Sequence, residues 1–311
     1  MASVIRVLSW NINGLKKKLE KPGTDLLNIF DRYDIVLLQE TKIGKMKDGK
    51  DDDKDWDLIN KALENKYALV KLEDQTCRET EDNQEEEVEK KETRRRKRRR
   101  DEGRIDEVGE EEKETKRKTM YMTYFRSSSK GVAIIVNKPH TLLKDFSEGG
   151  DYAWVHVEID QQKYTFVSVY YHFDYPDLIC NLMLKIFNSF LTEWSDAYKS
   201  RLVIGGDFNT TLDPKLDATE DNPDHAARRN RLNEFLRVVK LSDVWRKMHH
   251  GERQYTHDNN GKGSRLDYVF MLENDMQYVT SCEILDDIVL SDHSPVSLTL
   301  NNTDSPQPTG E

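Results

Sequence analysis

The chain has 311 residues, of which 36% are hydrophobic and 34% are charged, and its formal net charge is −10 at pH 7. This length allows one large core, and apolar segments of alternating strand and helix length favour a single α/β domain. The negative balance argues against binding nucleic acid through bulk charge, because neutralising phosphates needs a basic surface. There is no apolar run of roughly 20 residues, no signal-peptide core and no CxxC pair among the three cysteines. We therefore expect a soluble, intracellular protein without a disulfide framework or zinc site.

The first part of the chain predicts a βαβ-like beginning. Residues 4–10 predict a buried strand, residues 26–30 one side of a short helix, and residues 35–38 a second buried strand. From residue 73 to residue 118 the apolar pattern disappears, and acidic tracts flank a basic run at 94–100. Such a composition cannot bury enough apolar surface to offset the entropy of ordering. We predict a disordered insertion at 73–118 within one domain.

The apolar pattern resumes at residue 131. Residues 131–136 predict a strand, and residues 152–159 and 163–171 alternate with period two, as in an antiparallel hairpin. Pro176 suits the first turn of a helix whose apolar residues continue to Trp194. The remaining predicted elements are a strand at 202–204, a helix at 232–239, and strands at 266–272 and 296–300. We expect a single domain over residues 1–300 and an unstructured tail at 301–311.

Polar residues follow several of the predicted strands, where a rigid sheet can position catalytic groups while loops leave room for a substrate. Each of these residues alone is equally compatible with an ordinary turn or strand end. Only the set as a whole indicates a catalytic site. Its members are Asn11, Glu40, Asp207, Asn209, Asp267, Asp292 and His293.

Five blocks around these residues resemble, in order, the signature blocks of the endonuclease/exonuclease/phosphatase superfamily. The blocks are LSWNINGL (8–15), LQET (38–41), GGDFN (205–209), SRLDY (264–268) and SDHSP (291–295). The resemblance covers nearly the whole chain except the 73–118 insertion and the tail. It implies a four-layer α/β sandwich, in which two packed mixed β-sheets lie between helices, with a Mg²⁺-assisted site for phosphoester hydrolysis at one edge.

The resemblance also implies a role for the residues that would meet the metal and the phosphate. Glu40 would bind Mg²⁺, a hard cation that prefers oxygen ligands, and Asn13 and Asp292 would complete the metal site. Mn²⁺ could substitute for Mg²⁺. His293 would donate to a non-bridging phosphate oxygen, and Asp267 would fix its tautomer through the other ring nitrogen.

The remaining roles concern the attacking water and the transition state. Asp207 would activate or position the water, and Asn11 and Asn209 would donate amide hydrogen bonds to the phosphate. Tyr170, or alternatively its neighbour Tyr171, corresponds to the active-site tyrosine of the family and would support the transition state. The alternative is that these tyrosines are only half-buried packing residues.

Two positions separate this chain from AP endonucleases, the DNA-repair branch of the superfamily. Asn13 stands where those enzymes have an aspartate, and Ser264 stands where they have a tryptophan that helps to enclose a flipped abasic sugar. Three further segments are similar to the endonuclease domain of LINE-type non-LTR retrotransposons: TTLDPKLD (210–217), LSDVWR (241–246) and QYTH (254–257). The resemblance therefore points to the retrotransposon branch.

Residues 258–263 resemble the hairpin tip with which that branch probes a DNA groove, although an ordinary polar turn is the alternative. The side chains that we expect to contact DNA are Thr256, Asn259, Asn260, Lys262 and Arg265.

We expect a Mg²⁺-dependent endonuclease that nicks one strand of duplex DNA to give a 3′-hydroxyl primer, as in target-primed reverse transcription. The alternatives are an AP endonuclease of base-excision repair, a phosphatase acting on inositol lipids or sphingomyelin, and a catalytically inactive DNA-binding module. The chain ends soon after its last signature block, so a reverse transcriptase would be a separate domain or protein, and we expect a monomer. The basic run at 94–100, with a second at 116–118, indicates nuclear import, the alternative being a solvated loop.

Overall fold

The computed structural model describes most of the chain and contains two β-sheets packed face to face. The described residues are 4–21, 25–43, 54–72, 115–116, 118–123, 130–148, 150–172 and 200–302. The helix predicted at 176–194, the basic run at 94–100 and the tail from residue 303 onward lie outside these ranges.

The described ranges contain sixteen strands: β1 (Val4–Asn11), β2 (Ile35–Gln39), β3 (Ala68–Leu72), β4 (Thr115–Lys116), β5 (Thr119–Thr123), β6 (Val132–Val136), β7 (His140–Glu148), β8 (Tyr152–Ile159), β9 (Gln162–Tyr170), β10 (Arg201–Asp207), β11 (Leu241–Asp243), β12 (His257–Asn259), β13 (Lys262–Ser264), β14 (Asp267–Leu272), β15 (Val279–Ile284) and β16 (Val296–Asn301). Their α-helices are α1 (Leu15–Glu20), α2 (Leu26–Asp31), α3 (Lys54–Leu63), α4 (Ala226–Val239) and α5 (Val244–Met248). Short 3₁₀ helices form at Pro223–His225 and Glu273–Tyr278. None of the described helices has the length and apolar character needed to cross a membrane.

Each of the two large sheets has seven strands within the described ranges. The first has the order β15-β16-β1-β2-β6-β5-β3, and the second has the order β11-β14-β10-β9-β8-β7-β4. Both sheets are mixed, because β1 with β2, β3 with β5 and β9 with β10 are parallel while the other neighbours are antiparallel.

Alternating side chains give each sheet two apolar faces. Ile5 and Val7 of β1 belong to the core between the sheets. Leu8 and Trp10 of the same strand belong to an outer cluster with residues of α1, α2 and α3. On the far side, Leu232 of α4 belongs to a cluster with residues of β9, β10 and β14. The order helix, sheet, sheet, helix confirms the predicted four-layer α/β sandwich.

The strands predicted at the start of the chain, the β8–β9 hairpin, the helix at 232–239 and the last strand are confirmed. At the end of the predicted insertion, Thr115–Lys116 instead pair with β7, and Lys118 Nζ lies 3.0 Å from Asp31 Oδ1. Regular structure therefore resumes before residue 118, earlier than the charge pattern predicted.

Gly205 lets the two sheets approach closely at the end of β10, and Gly206 lets β10 lie close to β9 of its own sheet. A Cβ at Gly205 would lie 2.7 Å from Leu37 Cδ1 of the opposite sheet, and one at Gly206 would collide with the Val169 carbonyl. Ser168 Oγ donates to the Leu38 carbonyl across the same gap, at 2.9 Å. The strand that carries Asp207 is thereby held against the strand that precedes Glu40.

Candidate active site

The candidate site lies at the edge of the sandwich where β1, β2, β9 and β10 end and β14 begins. Asn11 of β1 is opposite Gln39 of β2, and Asp207 of β10 is opposite both Tyr170 of β9 and Asp267 of β14. Because β1 and β2 are parallel, as are β9 and β10, their carboxyl ends meet at this edge, where open α/β sheets place their sites.

Three residues at this edge, Asn13, Glu40 and Asn209, have left-handed backbone conformations with φ of 46°, 49° and 47°. Asparagine adopts this region more readily than most residues, whereas glutamate does so rarely. Backbone hydrogen bonds hold the loop after β2: the Gly14 N–H donates to the Glu40 carbonyl at 2.8 Å, and the Thr41 N–H donates to the loop before β6 at 2.9 Å. The fold thus imposes a conformation on Glu40 of a kind that clusters at functional sites.

His293 and Asp267 form a buried hydrogen-bonded pair. His293 Nδ1 lies 2.8 Å from Asp267 Oδ2, which orients the ring and leaves Nε2 for another partner. Burial disfavours the charged ring and alone would lower the pKa of His293. The charge of Asp267 and its hydrogen bond to the ring, followed by the charge of Asp207, instead raise this pKa to about 10. His293 is therefore a cationic hydrogen-bond donor at neutral pH.

Asp207 is a second buried carboxylate beside this pair, with an exposed fraction of 1%. One carboxylate oxygen from each of Asp207 and Asp267 and a ring nitrogen of His293 lie within 4.8 Å of one another. Burial, and next the charge of Asp267, raise the pKa of Asp207 to about 7, although His293 opposes this shift. A carboxylate that titrates near neutral pH is suited to accept a proton from water.

Asn11 links two of the predicted catalytic carboxylates. Its Nδ2 donates to Glu40 Oε1 at 2.8 Å and to Asp207 Oδ2 at 2.9 Å, and the residue has no exposed surface. An amide nitrogen has two hydrogens, and both have partners here. The predicted amide donation from Asn11 to the phosphate therefore does not fit the structure, in which Asn11 orients Glu40 and Asp207.

Glu40, Asn13 and Asp292 are the predicted metal ligands, and Lys42 lies among them. Lys42 Nζ is 2.8 Å from Glu40 Oε2 and also donates to Asn13 Oδ1. Asn13 Nδ2 in turn donates to Asp292 Oδ1 at 2.9 Å. Burial alone would raise the pKa of Asp292, but the hydrogen bond from Asn13 and the charge of His293 lower it below its ordinary value. The three side chains are thus connected, through Asn13 and the Lys42 ammonium.

These three residues fit a hard cation, because they offer carboxylate and amide oxygens. The Lys42 ammonium already lies against Glu40 and Asn13, so the site accommodates positive charge. The described carboxylates and imidazoles also form two closer sets, His257 with Asp292 and His293, and Asp207 with Asp267 and His293, each with its ligand atoms within 4.8 Å. Glu40 belongs to neither set. The structure therefore brings the three predicted metal ligands to one cleft.

Tyr170 and Asn209 both line the cleft, whereas Tyr171 is fully buried in the outer core of the second sheet. Burial, followed by the charges of Glu40 and Asp207, raises the pKa of Tyr170, so its phenol is neutral and can donate a hydrogen bond. Asn209 Nδ2 donates to the Tyr171 carbonyl at 3.1 Å and to Asp207 Oδ2 at 3.4 Å. Asn209 would have to exchange one of these bonds to donate to a phosphate.

These residues open onto a cleft of about 700 Å³. Besides Glu40, Tyr170, Asn209, Asp292 and His293, the cleft is lined by residues 218–223 and by His257, Asn259, Lys262 and Ser264. The last two groups adjoin each other, because Ala218 bridges to Ser264 and the Thr219 N–H donates to the Gly263 carbonyl at 3.0 Å.

The predicted hairpin tip is a two-residue turn between β12 and β13. Asn260 and Gly261 have φ of 56° and 83°, as a type I′ turn requires. Its base is fixed, because Ser264 bridges to Ala218 and a Cβ at Gly263 would overlap the Tyr255 ring. The tip residues Asn259, Asn260 and Lys262 are exposed, and Lys262 Nζ lies 2.8 Å from Glu220 Oε2.

Two predicted DNA contacts, Arg265 and Thr256, do not fit the structure, because both side chains are 1% exposed. Arg265 Nη2 lies 2.8 Å from Asp217 Oδ1 and 2.7 Å from Asp243 Oδ2. Thr256 Oγ1 accepts the backbone N–H groups of Leu266 and Asp267 at 3.0 and 3.1 Å. Both residues hold the start of β14 in place and cannot reach a groove.

Sequence reasoning gave no role to Lys42 or His257. Lys42 follows the LQET block by one residue, so its proximity to Glu40 could have been inferred from the chain alone. His257 meets His293 only through the fold, with ring centroids 4.6 Å apart. Burial, and next the charge of His293, lower the pKa of His257, so a neutral imidazole lies against a cationic one.

Comparison with known proteins agrees with this geometry. The model of the Endonuclease/Exonuclease/phosphatase family matches residues 8–293. A search of curated proteins gives no significant match.

Three similar solved structures share the fold. An AP endonuclease from Leishmania major superposes with a TM-score of 0.66 at 13% identity, over 96% of this chain and 88% of that one. The catalytic domain of APE2 from Xenopus laevis superposes with a TM-score of 0.60 at 16% identity, over 96% of this chain and 92% of that one. A 3′ phosphatase from Neisseria, bound to a product DNA hairpin, superposes with a TM-score of 0.57 at 15% identity, over 94% of this chain and 98% of that one.

Proposed function

The chain belongs to the endonuclease/exonuclease/phosphatase family, and we propose that it is a Mg²⁺-dependent endonuclease that nicks one strand of duplex DNA to leave a 3′-hydroxyl. Its membership makes it a hydrolase of phosphodiester bonds. The observation that carries the proposal is the Asp267–His293 pair beside Asp207, facing an open cleft of about 700 Å³. This arrangement offers a cationic donor for a phosphate and a base for water within a few ångströms.

In the proposed reaction, His293 donates from Nε2 to a non-bridging oxygen of the scissile phosphate, and Asp267 keeps the ring in that orientation. Asp207 accepts a proton from the water whose oxygen attacks phosphorus, and the bond from phosphorus to the 3′ oxygen breaks. The 3′ oxygen takes a proton from solvent to become the 3′-hydroxyl, and the phosphate stays on the 5′ end. Asn11 holds the carboxylates of Asp207 and Glu40 at fixed positions. The neutral phenol of Tyr170 donates a hydrogen bond to the phosphate as its charge builds.

Glu40, with Asp292 and Asn13, would hold Mg²⁺, which when bound supplies Lewis-acid stabilisation of the charge on the phosphate. Lys42 lies against Glu40 and Asn13 and would have to turn away from them, or share them, when the cation binds.

We also propose that the enzyme is of the retrotransposon type, nicking DNA to prime reverse transcription. An abasic-site endonuclease needs an apolar pocket for the flipped sugar. Ser264, His257 and Asn259 line this cleft with polar groups. Their polarity supports recognition of intact duplex over an abasic sugar.

The test compares supercoiled plasmid with an oligonucleotide duplex that carries one abasic site, both in Mg²⁺. We expect open-circular plasmid whose nicks a DNA polymerase can extend without further processing, and little preference for the abasic site. Asp207→Asn serves as the matched control for contaminating nuclease. Incision confined to abasic sites would favour a repair enzyme, and removal of a 3′ phosphate without nicking would favour a 3′ phosphatase.

Three further expectations belong to the same proposal. They are a monomeric enzyme, a reverse transcriptase supplied by a separate domain or protein, and nuclear import through residues 94–100. A fusion of a fluorescent protein to the full chain, with and without the arginines at 94–96, tests the last of these by its nuclear accumulation.

A further inference from the structure

Arg228, in the first turn of α4, reaches back to the loop that follows β10. Its Nη1 donates to the backbone carbonyl of Asn209 at 2.7 Å. Its guanidinium carbon lies 5.0 Å from the centre of the Tyr171 ring. A planar guanidinium can stack on an aromatic face and donate from its edge at the same time, which an ammonium cannot do.

Asn209 is the residue of this loop that needs to be held. It has the left-handed φ of 47° noted above, and its backbone N–H donates to Asp207 Oδ1 at 2.8 Å. Its side-chain amide donates to Asp207 Oδ2 at 3.4 Å and to the Tyr171 carbonyl at 3.1 Å. Asn209 thus faces both oxygens of Asp207, and Arg228 binds the carbonyl of that same residue.

The next residue of α4 secures the other end of the loop. Arg229 Nη1 donates to Thr211 Oγ1 at 3.2 Å and to Asp221 Oδ1 at 3.1 Å. Thr210 Oγ1 also donates to the His225 carbonyl at 3.4 Å. The start of α4 therefore contacts each residue from Asn209 to Thr211.

We infer that Arg228 is a positioning residue for phosphodiester hydrolysis, which fixes Asn209 and through it the orientation of the Asp207 carboxylate. This inference rests on the proposed function, because it assigns Asp207 as the base. Arg228 is not among the cleft-lining residues, so it acts through Asn209 and not on the substrate. No motif in the sequence marked it, because α4 carries further arginines at 229, 231 and 237 with no obvious difference.

The test measures kcat and KM for plasmid nicking by Arg228→Ala, Arg228→Lys, Asn209→Ala and the double variant of Arg228→Ala with Asn209→Ala. A displaced catalytic group costs on the order of 10–100-fold in rate, so we expect such a fall in kcat for Arg228→Ala with KM within about twofold of the parent. Arg228→Lys should recover part of the loss. The double variant should lose less than the product of the two single losses, because Asn209→Ala removes the side-chain amide that Arg228 positions but keeps the backbone carbonyl that Arg228 binds.

Arg237→Ala is the matched control, since Arg237 lies on the same helix with 72% of its side chain exposed and pairs only with Glu234 among the described ion pairs. It should leave kcat and KM unchanged. Hydrogen exchange at the amides of 209–211 gives a readout that does not depend on activity. We expect these amides to exchange faster in Arg228→Ala than in the parent, and at the parent's rate in Arg237→Ala.

The inference is overturned if the two losses multiply in the double variant, or if KM rises while kcat is unchanged, since Arg228 would then act on DNA directly. Unchanged exchange at 209–211 in Arg228→Ala would overturn it as well. If the parent protein cleaves no phosphodiester, the proposed function fails, and the exchange experiment still decides whether Arg228 holds the loop. Should Arg228→Ala not fold, Arg228→Lys, which retains the charge and the stem, carries the same measurements.

Discussion

Two buried polar clusters lie on either side of the start of β14, and they use charge in opposite ways. The ion-pair cluster consists of Arg265 and Arg246 with Asp217 and Asp243, so that two positive groups meet two negative groups. The catalytic cluster consists of Asp207, Asp267 and His293 with Asn11, so that two carboxylates meet one imidazole. Arg265 and Asp267, only two residues apart, belong to different clusters.

The difference shows which charges hold the fold and which are available for chemistry. In the ion-pair cluster, Arg265 also packs between aromatic rings, with its guanidinium carbon 5.0 Å from the centre of Trp245 and 4.5 Å from that of Tyr268. In the catalytic cluster, burial and the charge of Asp267 raise the pKa of Asp207 to about 7. We expect the first cluster to matter for stability and the second for activity.

The largest expected effect is on activity, in the catalytic cluster. His293→Ala and Asp207→Asn should each lower the nicking rate by on the order of 10³ or more, because each removes a group that acts only as the reaction proceeds. Both variants should still unfold cooperatively, although His293→Ala should unfold at a lower temperature because it leaves the Asp267 carboxylate buried without its partner. A folded variant of either kind that nicks at a near-normal rate would remove these residues from the proposed site.

In the ion-pair cluster the expected effect is on stability. Arg265→Met removes the arginine that pairs with Asp243 and one of the two that pair with the buried Asp217, and breaking a buried pair costs about 3–5 kcal/mol of unfolding free energy. The control is Lys262→Met, because Lys262 and Glu220 are both 66% exposed, and such surface pairs contribute about 0–1 kcal/mol. Urea denaturation measures both. An Arg265→Met protein that unfolds like the parent would show that this cluster does not hold the fold.

The comparison also explains what could be predicted from sequence. Asn11, Glu40 and Asp207 could be placed together because each follows an apolar strand, and strand ends meet at one edge of a sheet. Arg265 was misassigned as a DNA contact because its partner Asp217 lies 48 residues away in the chain, and nothing local reveals that the pair is buried. The edge strands β3 and β15 were missed because their half-exposed residues lack a clear period of two.

A smaller effect should separate stability from activity at one residue. Because the folded pKa of Asp207 is raised to about 7 from 3.8, the folded protein keeps a proton that the unfolded chain has lost. The free energy of unfolding therefore falls as pH rises from about 4 to 7, and this loss is complete above pH 7. Asp207→Asn, measured in EDTA, should therefore gain stability relative to the parent as the pH rises from 4 to 8. Equal stabilities at both pH values would show that Asp207 is not strained by burial and by Asp267.

The smallest expected effect concerns the exposed hairpin, which belongs to neither cluster. Its tip carries Asn259 and Lys262 in solvent, so replacing both by alanine should change the unfolding free energy by less than about 1 kcal/mol. We expect the overall nicking rate to stay within about threefold of the parent, because the hairpin contributes no side chain to the catalytic cluster. If the hairpin reads duplex shape, the distribution of nicks among flexible pyrimidine–purine steps and narrow A-tract grooves should shift, as mapped by sequencing nick positions on one plasmid. Lys247→Ala, an exposed lysine on α5, serves as the control for loss of charge alone. A nick distribution identical to that of the parent would show that recognition lies in the walls of the cleft and that the hairpin is an ordinary polar turn.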